Sequence, residues 1–156
     1  MAAEITPLLL CHIWPKLVPV RTGAGLVGKA VAKPTKPIRW LGDSREVIRS
    51  FPEDVKDDMG VALLAAQKGQ KHADAKPLKG FGGASVLEIV ENDDGDTYRA
   101  VYTVKYKERI YVLHCFQKKS NRGSETPKRE MDVIEKRLKW AARIDSEEQQ
   151  GKVKDV

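Results

Sequence analysis

Basic side chains recur where the sequence predicts strands to begin, run and end. The first group, Lys76-Pro-Leu-Lys79-Gly, leads into a predicted strand. Its glycine allows the backbone to lie close to a ligand, and its lysines can contact phosphate groups. A solvated, flexible loop accounts for the same composition. The segment therefore indicates a possible anion-binding loop without requiring one.

The second group centres on Arg99, which lies within Tyr98-Arg-Ala-Val-Tyr102 in the interior of a predicted strand. Alternation places the even-numbered residues of that strand on one face and Arg99 with the other odd-numbered residues on the opposite face. A guanidinium group can bind a phosphate through two hydrogen bonds and stabilise the charge of a pentavalent phosphate. The alternative is a salt bridge to Glu88 or Glu91 on the neighbouring strand. The sequence leaves both interpretations open.

The third group ends a predicted strand with His114, then Lys118 and Lys119. Strict alternation places His114, Phe116 and Lys118 on one face of that strand. A histidine can donate or accept a proton near neutral pH in RNA cleavage, although most single strand histidines are only hydrogen-bonded. Cys115 has no evident base partner and is expected to be a small buried apolar residue.

Sequence motifs for other chemistries are absent. The chain has no HExxH, paired CxxC, P-loop or GxSxG, and His12, His72 and His114 do not have the spacing of metal ligands. The glycines of residues 23–28 spell GxGxxG but follow no predicted strand. We therefore expect neither a metal nor a cofactor.

The elements that position these cations follow from periodicity and capping signals. Val55, Met59 and Leu63 recur at helical spacing, and Asn92-Asp-Asp-Gly95 predicts a turn between strands. The predicted elements are a strand at 38–41, a helix to about Phe51 that Asp43 or Ser44 caps, a helix at 52–67, a loop at 68–84, strands at 86–90, 97–106 and 110–117, and a helix to about Ile144 that Thr126 caps and Pro127 begins. This β-α-α-β-β-β-α order predicts an α+β domain. In it, a small, mainly antiparallel twisted sheet buries one face against helices, with a helical hairpin before the sheet and one helix after it.

Composition divides the chain into three parts. Residues 1–36 are interrupted by prolines and glycines, which predicts a disordered or misannotated extension, with an organelle transit peptide as an alternative. The folded domain is expected at 37–144, followed by a polar, frayed tail at 145–156. No segment is apolar for the roughly 18–20 residues that a membrane span needs, and we expect a small cytosolic domain.

The net charge of +6 is unevenly distributed. Residues 1–37 carry five basic residues and one acidic residue, whereas residues 105–143 carry 12 basic and 5 acidic residues. An acidic cluster lies between them at 88–96. The C-terminal third is therefore basic enough to favour an anionic partner such as nucleic acid.

Together these motifs carry a resemblance to a known family. Lys76-Pro-Leu-Lys79-Gly, Tyr98-Arg-Ala-Val-Tyr102, Val112-Leu-His-Cys-Phe-Gln-Lys118-Lys119-Ser and Thr126-Pro127 occur in the order and spacing of one group of toxins. Over residues 37–140 the chain resembles the phage-related HigB-like branch of the RelE/ParE toxin superfamily. The resemblance implies a RelE-like fold and a type II toxin–antitoxin toxin.

The resemblance also implies a mechanism. Similar toxins enter the ribosomal A site and cut mRNA by attack of a ribose 2′-OH on the adjacent phosphate, without a metal. Four residues would then be catalytic: Arg99 at the phosphate, Lys79 and Lys118 as supporting cations, and His114 as an acid or base. Lys76, Lys119 and Arg122 would bind RNA. The implied partners are the ribosome, mRNA and a cognate helix-turn-helix antitoxin, with no membrane.

Two other functions remain open. A ParE-like toxin would inhibit DNA gyrase by protein contact and would need no catalytic cations. A degenerate phage-derived domain would bind a nucleic acid or a partner without cleaving it.

Overall fold

The computed structural model describes residues 35–83, 85–119 and 126–153. These residues form a five-stranded sheet and three helices, which confirms the predicted α+β class. In chain order the elements are β1 (Ile38–Trp40), α1 (Ser44–Arg49), α2 (Glu53–Gln67), β2 (Ala75–Pro77), β3 (Val86–Asp93), β4 (Asp96–Thr103), β5 (Ile110–Lys118) and α3 (Lys128–Val153). The predicted extension lies, through residue 34, outside the described residues.

The sheet has the strand order β1-β5-β4-β3-β2. Strands β2 to β5 pair antiparallel, as their short connections predict, and β1 pairs parallel to β5. The β3–β4 turn has positive φ at both central residues, Asp94 and Gly95, as a type I′ turn requires. The predicted turn at 92–95 is therefore confirmed.

Strand β2 corrects the sequence analysis, which predicts a loop throughout 68–84. Lys76 pairs with Glu88, and Pro77 pairs with Leu87. The strand is only three residues long and lies at the sheet edge, where a proline is tolerated because its missing N–H faces no further strand. The residues on either side are rich in lysine and glycine, so a strand of three residues produces no recognisable alternation of apolar and polar residues.

Both faces of the sheet are buried, whereas the sequence analysis predicts one. Tyr98, Ala100 and Tyr102 face one core, which α1 and α2 complete with side chains that include Ile48 and Met59. The opposite face, here called the α3 face, packs against α3 and carries Val86, Val101, Tyr111, Leu113 and Phe116. The predicted separation of even and odd residues along β4 is correct, but the odd face is also covered.

A bulge in β5 determines which side chains reach the α3 face. Val101 pairs with His114, but the next residue, Tyr102, pairs with Val112, so Leu113 has no partner on β4. One extra residue in a strand shifts the alternation of its side chains. Leu113 and His114 consequently both lie on the α3 face.

The last helix is longer than predicted. The sequence analysis ends it at Ile144, but α3 continues to Val153. Asp145 is buried, and Glu148 forms ion pairs with Arg39 on β1 and Arg109 before β5. These contacts hold the last turns of α3 against the edge of the sheet. The polar local sequence alone would not keep those turns helical.

Candidate functional site

Most of the predicted site residues lie on the α3 face. Side chains of directly paired residues in an antiparallel sheet point to the same side. The pairs Lys76–Glu88, Glu88–Val101 and Val101–His114 therefore place Lys76 and His114 on one face, three strands apart. Arg99 and Lys118 share that face through the pairs Arg99–Phe116 and Thr97–Lys118.

The remaining predicted cations lie around this face. Lys79 follows β2 in a loop that bends onto the α3 face, because a Cβ at Gly80 would lie 3.2 Å from Met131 of α3. Lys119 follows β5 and is exposed. Arg122 lies outside the described residues. Lys76, Lys79 and Lys119 are exposed and form no ion pair with any described residue, so all three can receive an anion.

Arg99 is only 4% exposed and is held on two sides. Its Nη1 donates to Glu88 Oε2 at 2.7 Å and to Thr126 Oγ1 at 3.1 Å. Of the two acidic partners that the sequence leaves open, the structure selects Glu88. Thr126, expected to cap the last helix, instead accepts a hydrogen bond from Arg99, and the helix begins at Lys128.

His114 is enclosed by two residues of α3. Nη1 of Arg137 lies 3.0 Å from Nδ1, and Glu130 Oε2 lies 2.5 Å from Nε2. A guanidinium can only donate, so Nδ1 accepts and the ring carries its proton on Nε2, which donates to Glu130. Both ring nitrogens are thus engaged, so His114 can exchange a proton with another molecule only if one of these two partners moves away.

Arg137 also forms hydrogen bonds that connect α3 to β5 and to the start of α1. It donates to the carbonyl of Leu113 at 3.0 Å and to Asp43 Oδ1 at 2.5 Å. Asp43 occupies the N-cap position of α1 but makes no side-chain capping bond, which corrects its predicted role. The hydrogen bond from Arg137 lowers the pKa of the Asp43 carboxyl group below its ordinary value.

The sequence analysis missed Glu130 and Arg137, although a signal was present. They share a stripe of α3 with Ile134 and Ala141, at spacings of three and four residues. Both apolar members of that stripe are buried, so charged residues between them must also face the sheet. A charged residue on the apolar side of a helix is the pattern that predicts a buried polar contact.

Three further observations concern a cysteine, possible metal ligands and membrane spans. Cys115 is buried among apolar side chains, and burial raises the pKa of its thiol, as expected for a packing residue. Among the described residues, no three His, Cys, Asp or Glu side chains are grouped to hold a metal ion. None of the described helices has the length and apolarity needed to cross a bilayer.

Comparison with known proteins identifies the family. The model of the phage-derived Gp49-like proteins (DUF891) matches residues 46–139, about three fifths of the chain. The chain belongs to the Gp49-like family. This is a known family of toxin–antitoxin toxins with a RelE-like character. The match spans α1 to the middle of α3 and includes Glu88, Arg99 and His114. Searches of curated proteins and of solved structures found no match.

Proposed function

We propose that this Gp49-like protein is the toxin of a type II toxin–antitoxin system and cleaves mRNA in the ribosome without a metal. The supporting observation is the pairing register, which collects Lys76, Arg99, His114 and Lys118 on one face of the sheet. Anionic RNA is the substrate class that suits this arrangement, because phosphate contacts dominate protein–RNA affinity.

In the proposed reaction the ribose 2′-OH attacks the adjacent phosphate, and the bond from phosphorus to the 5′-oxygen breaks. A base accepts the 2′-OH proton, an acid protonates the leaving 5′-oxygen, and a 2′,3′-cyclic phosphate forms. Arg99 stabilises the pentavalent phosphate, supported by Lys79 and Lys118. Lys76, Lys119 and Arg122 bind the RNA backbone.

His114 takes part in proton transfer only after the substrate binds. An RNA phosphate competes with Nδ1 of His114 for the guanidinium of Arg137, because phosphate is the stronger acceptor. Once Arg137 moves, Nδ1 becomes a free base. Glu130 then holds the opposite nitrogen and stabilises the protonated ring. In this proposal Glu130 is a positioning residue.

A second candidate is a protein that binds without cleaving, whether a ParE-like gyrase inhibitor or a nucleic-acid-binding domain. The observation that favours it is the pairing of Arg99 with Glu88, together with the engagement of both His114 nitrogens. These contacts explain both residues as parts of a buried polar network. This candidate predicts stalled replication or salt-dependent binding, with mRNA intact.

The experiment that separates the candidates compares two arginines. Arg99→Lys keeps a cation beside Glu88 but removes the planar fork that matches phosphate. Arg39→Lys makes the same change at a half-exposed ion pair with Glu148, on the edge strand β1, which does not adjoin the strand of Arg99. Each variant is induced in a host without antitoxin, and growth and mRNA 5′ ends are followed.

We expect Arg99→Lys to reduce cleavage at least tenfold, and Arg39→Lys to behave like the wild type. Equal cleavage by both variants, with both folded, would contradict a role for Arg99 at the phosphate. A folded wild-type protein that leaves transcripts intact would overturn the nuclease proposal.

The proposed partners follow from the same surface. A cognate antitoxin, which we propose to be a helix-turn-helix protein, would inhibit the toxin by covering the exposed lysines around the α3 face. Acidic side chains on that antitoxin would compete with RNA for Lys76 and Lys79. The proposed site of action is the ribosome in the cytoplasm.

A further inference from the structure

Trp140 lies on an exposed flank of α3, beside the stripe that faces the sheet. Its side chain is 47% exposed, whereas Ile134 and Ala141 of the same helix are buried. Lys136 lies one turn before it and Arg143 one turn after it, and both are exposed. Residues three and four apart on a helix are neighbours, with Cβ atoms about 5–6 Å apart. An aromatic ring therefore stands between two cations on one surface.

The two cations beside Trp140 are available to a partner. Within the described part of the chain, neither Lys136 nor Arg143 forms an ion pair. The nearby acid Glu135 is already engaged, since Lys139 donates to it at 2.7 Å and lowers the pKa of its carboxyl group. Exposed Asp132 and Glu147 lie one further turn away, before Lys136 and after Arg143, so the positive charge is confined to the two residues that flank the ring.

The other large apolar residues exposed in the described chain have different surroundings. Val61 and Leu64 lie on α2, where exposed Asp57 and Asp58 are one turn before Val61 and exposed Lys68 is one turn after Leu64. Neither aliphatic side chain offers an aromatic face on which a base could stack. Trp140 alone of the three combines an aromatic face with neighbouring cations.

We infer that Trp140, Lys136 and Arg143 form a binding surface for unpaired RNA, with a base stacked on the indole and flanking phosphates at the two cations. Aromatic stacking and cationic contact are the two interactions by which proteins hold single strands without reading sequence. The inference rests on the proposed function, since it gives the toxin a second RNA contact outside the α3 face. An acidic protein would use the two cations but would leave the indole face without a planar partner.

The test measures binding rather than cleavage. A short, fluorescently labelled single-stranded RNA with 2′-O-methyl riboses, which cannot be cut by 2′-OH attack, is titrated with the full chain in an anisotropy assay. The aromatic variants are Trp140→Leu and Trp140→Phe. The charge variant is Lys136→Gln with Arg143→Gln, and its matched control is Arg49→Gln with Lys68→Gln, two exposed cations on the α1–α2 side.

We expect Trp140→Leu to weaken binding about tenfold and Trp140→Phe to weaken it less, because phenylalanine retains a stacking face. The Lys136/Arg143 variant should lower the slope of log affinity against log salt by roughly 1.4, the value for two phosphate contacts on a single strand. The control should change neither quantity. The four cations are exposed and the Trp140 side chain is 47% exposed, so every variant should remain folded, which a melting curve for each one checks.

Three results would overturn the inference: no binding by the wild type, equal affinity of Trp140→Leu and the wild type, or equal loss in the charge variant and its control. Retained wild-type affinity in every variant, together with loss of binding to an acidic protein, would assign the surface to a protein instead. The nuclease proposal stands or fails separately, because it is tested on cleavable mRNA in cells.

Discussion

Gly42 offers the sharpest test of the polar network that encloses His114. Its φ of +58° lies in the left-handed region, and a Cβ built there would lie 2.5 Å from Nη2 of Arg137. Gly42→Ala therefore has two costs. The left-handed backbone costs an alanine about 1 kcal/mol, and the methyl group forces the guanidinium of Arg137 to move.

The second cost follows from what holds Arg137. Its hydrogen bond to the Leu113 carbonyl is charge-assisted and partly buried, which is worth about 1.5–3 kcal/mol. The Asp43 side chain is 56% exposed, so that ion pair adds at most about 1 kcal/mol. We expect Gly42→Ala to lower the free energy of unfolding by about 3 kcal/mol in total.

Urea unfolding of a double-mutant cycle separates the two costs. In an Arg137→Ala background, Gly42→Ala should cost only about 1 kcal/mol, because no guanidinium remains to be displaced. Gly69→Ala is the matched control, since Gly69 has a φ of +74° and nothing within 4 Å of its built Cβ. Additive costs at Gly42 and Arg137, or equal costs at Gly42 and Gly69, would refute the assigned contact.

Two further predictions concern stability. Glu148→Gln should weaken the ion pairs to Arg39 and Arg109 and lower the free energy of unfolding by about 1 kcal/mol. It should also speed amide hydrogen exchange in α3 after Ile144. Unchanged exchange there would contradict the role of these ion pairs in holding the end of α3 against the sheet. Burial raises the pKa of Tyr102 from its ordinary value near 10 to about 12, so the unfolded chain loses this proton first and stability falls as the pH rises through that interval. In urea unfolding, Tyr102→Phe should reduce the fall between pH 10 and pH 12 by about 2 kcal/mol, and identical falls in both proteins would contradict it.

The sequence predicted those parts of the fold in which local patterns and tertiary packing agree. Helix α2 follows from Val55, Met59 and Leu63 at helical spacing, and all three are buried as expected. The alternation along β4 correctly separates Tyr98 and Ala100 from Arg99. The antiparallel order of β3, β4 and β5 follows from their short connections.

The features that escaped prediction depend on contacts distant in sequence. The bulge at Leu113 is visible only in the pairing with β4, and β2 is defined by its register with β3. For Arg99 the sequence narrowed the acidic partners to two, and the fold selected Glu88. The contacts of His114 come from Glu130 and Arg137, 16 and 23 residues further along the chain. The helical stripe predicts that these two residues face the sheet, but only the fold shows that they meet His114.

The central claim is that the exposed cations around the α3 face serve mRNA cleavage. The most direct measurement maps mRNA 5′ ends in cells that express the chain without antitoxin. It compares the wild type with Lys76→Gln/Lys79→Gln and with the Arg49→Gln/Lys68→Gln control, each of which removes two exposed charges. We predict new 5′ ends for the wild type and the control, and at least a tenfold reduction for the Lys76/Lys79 variant. Equal cleavage by both double variants, or arrested growth with intact mRNA in the wild type, would contradict it.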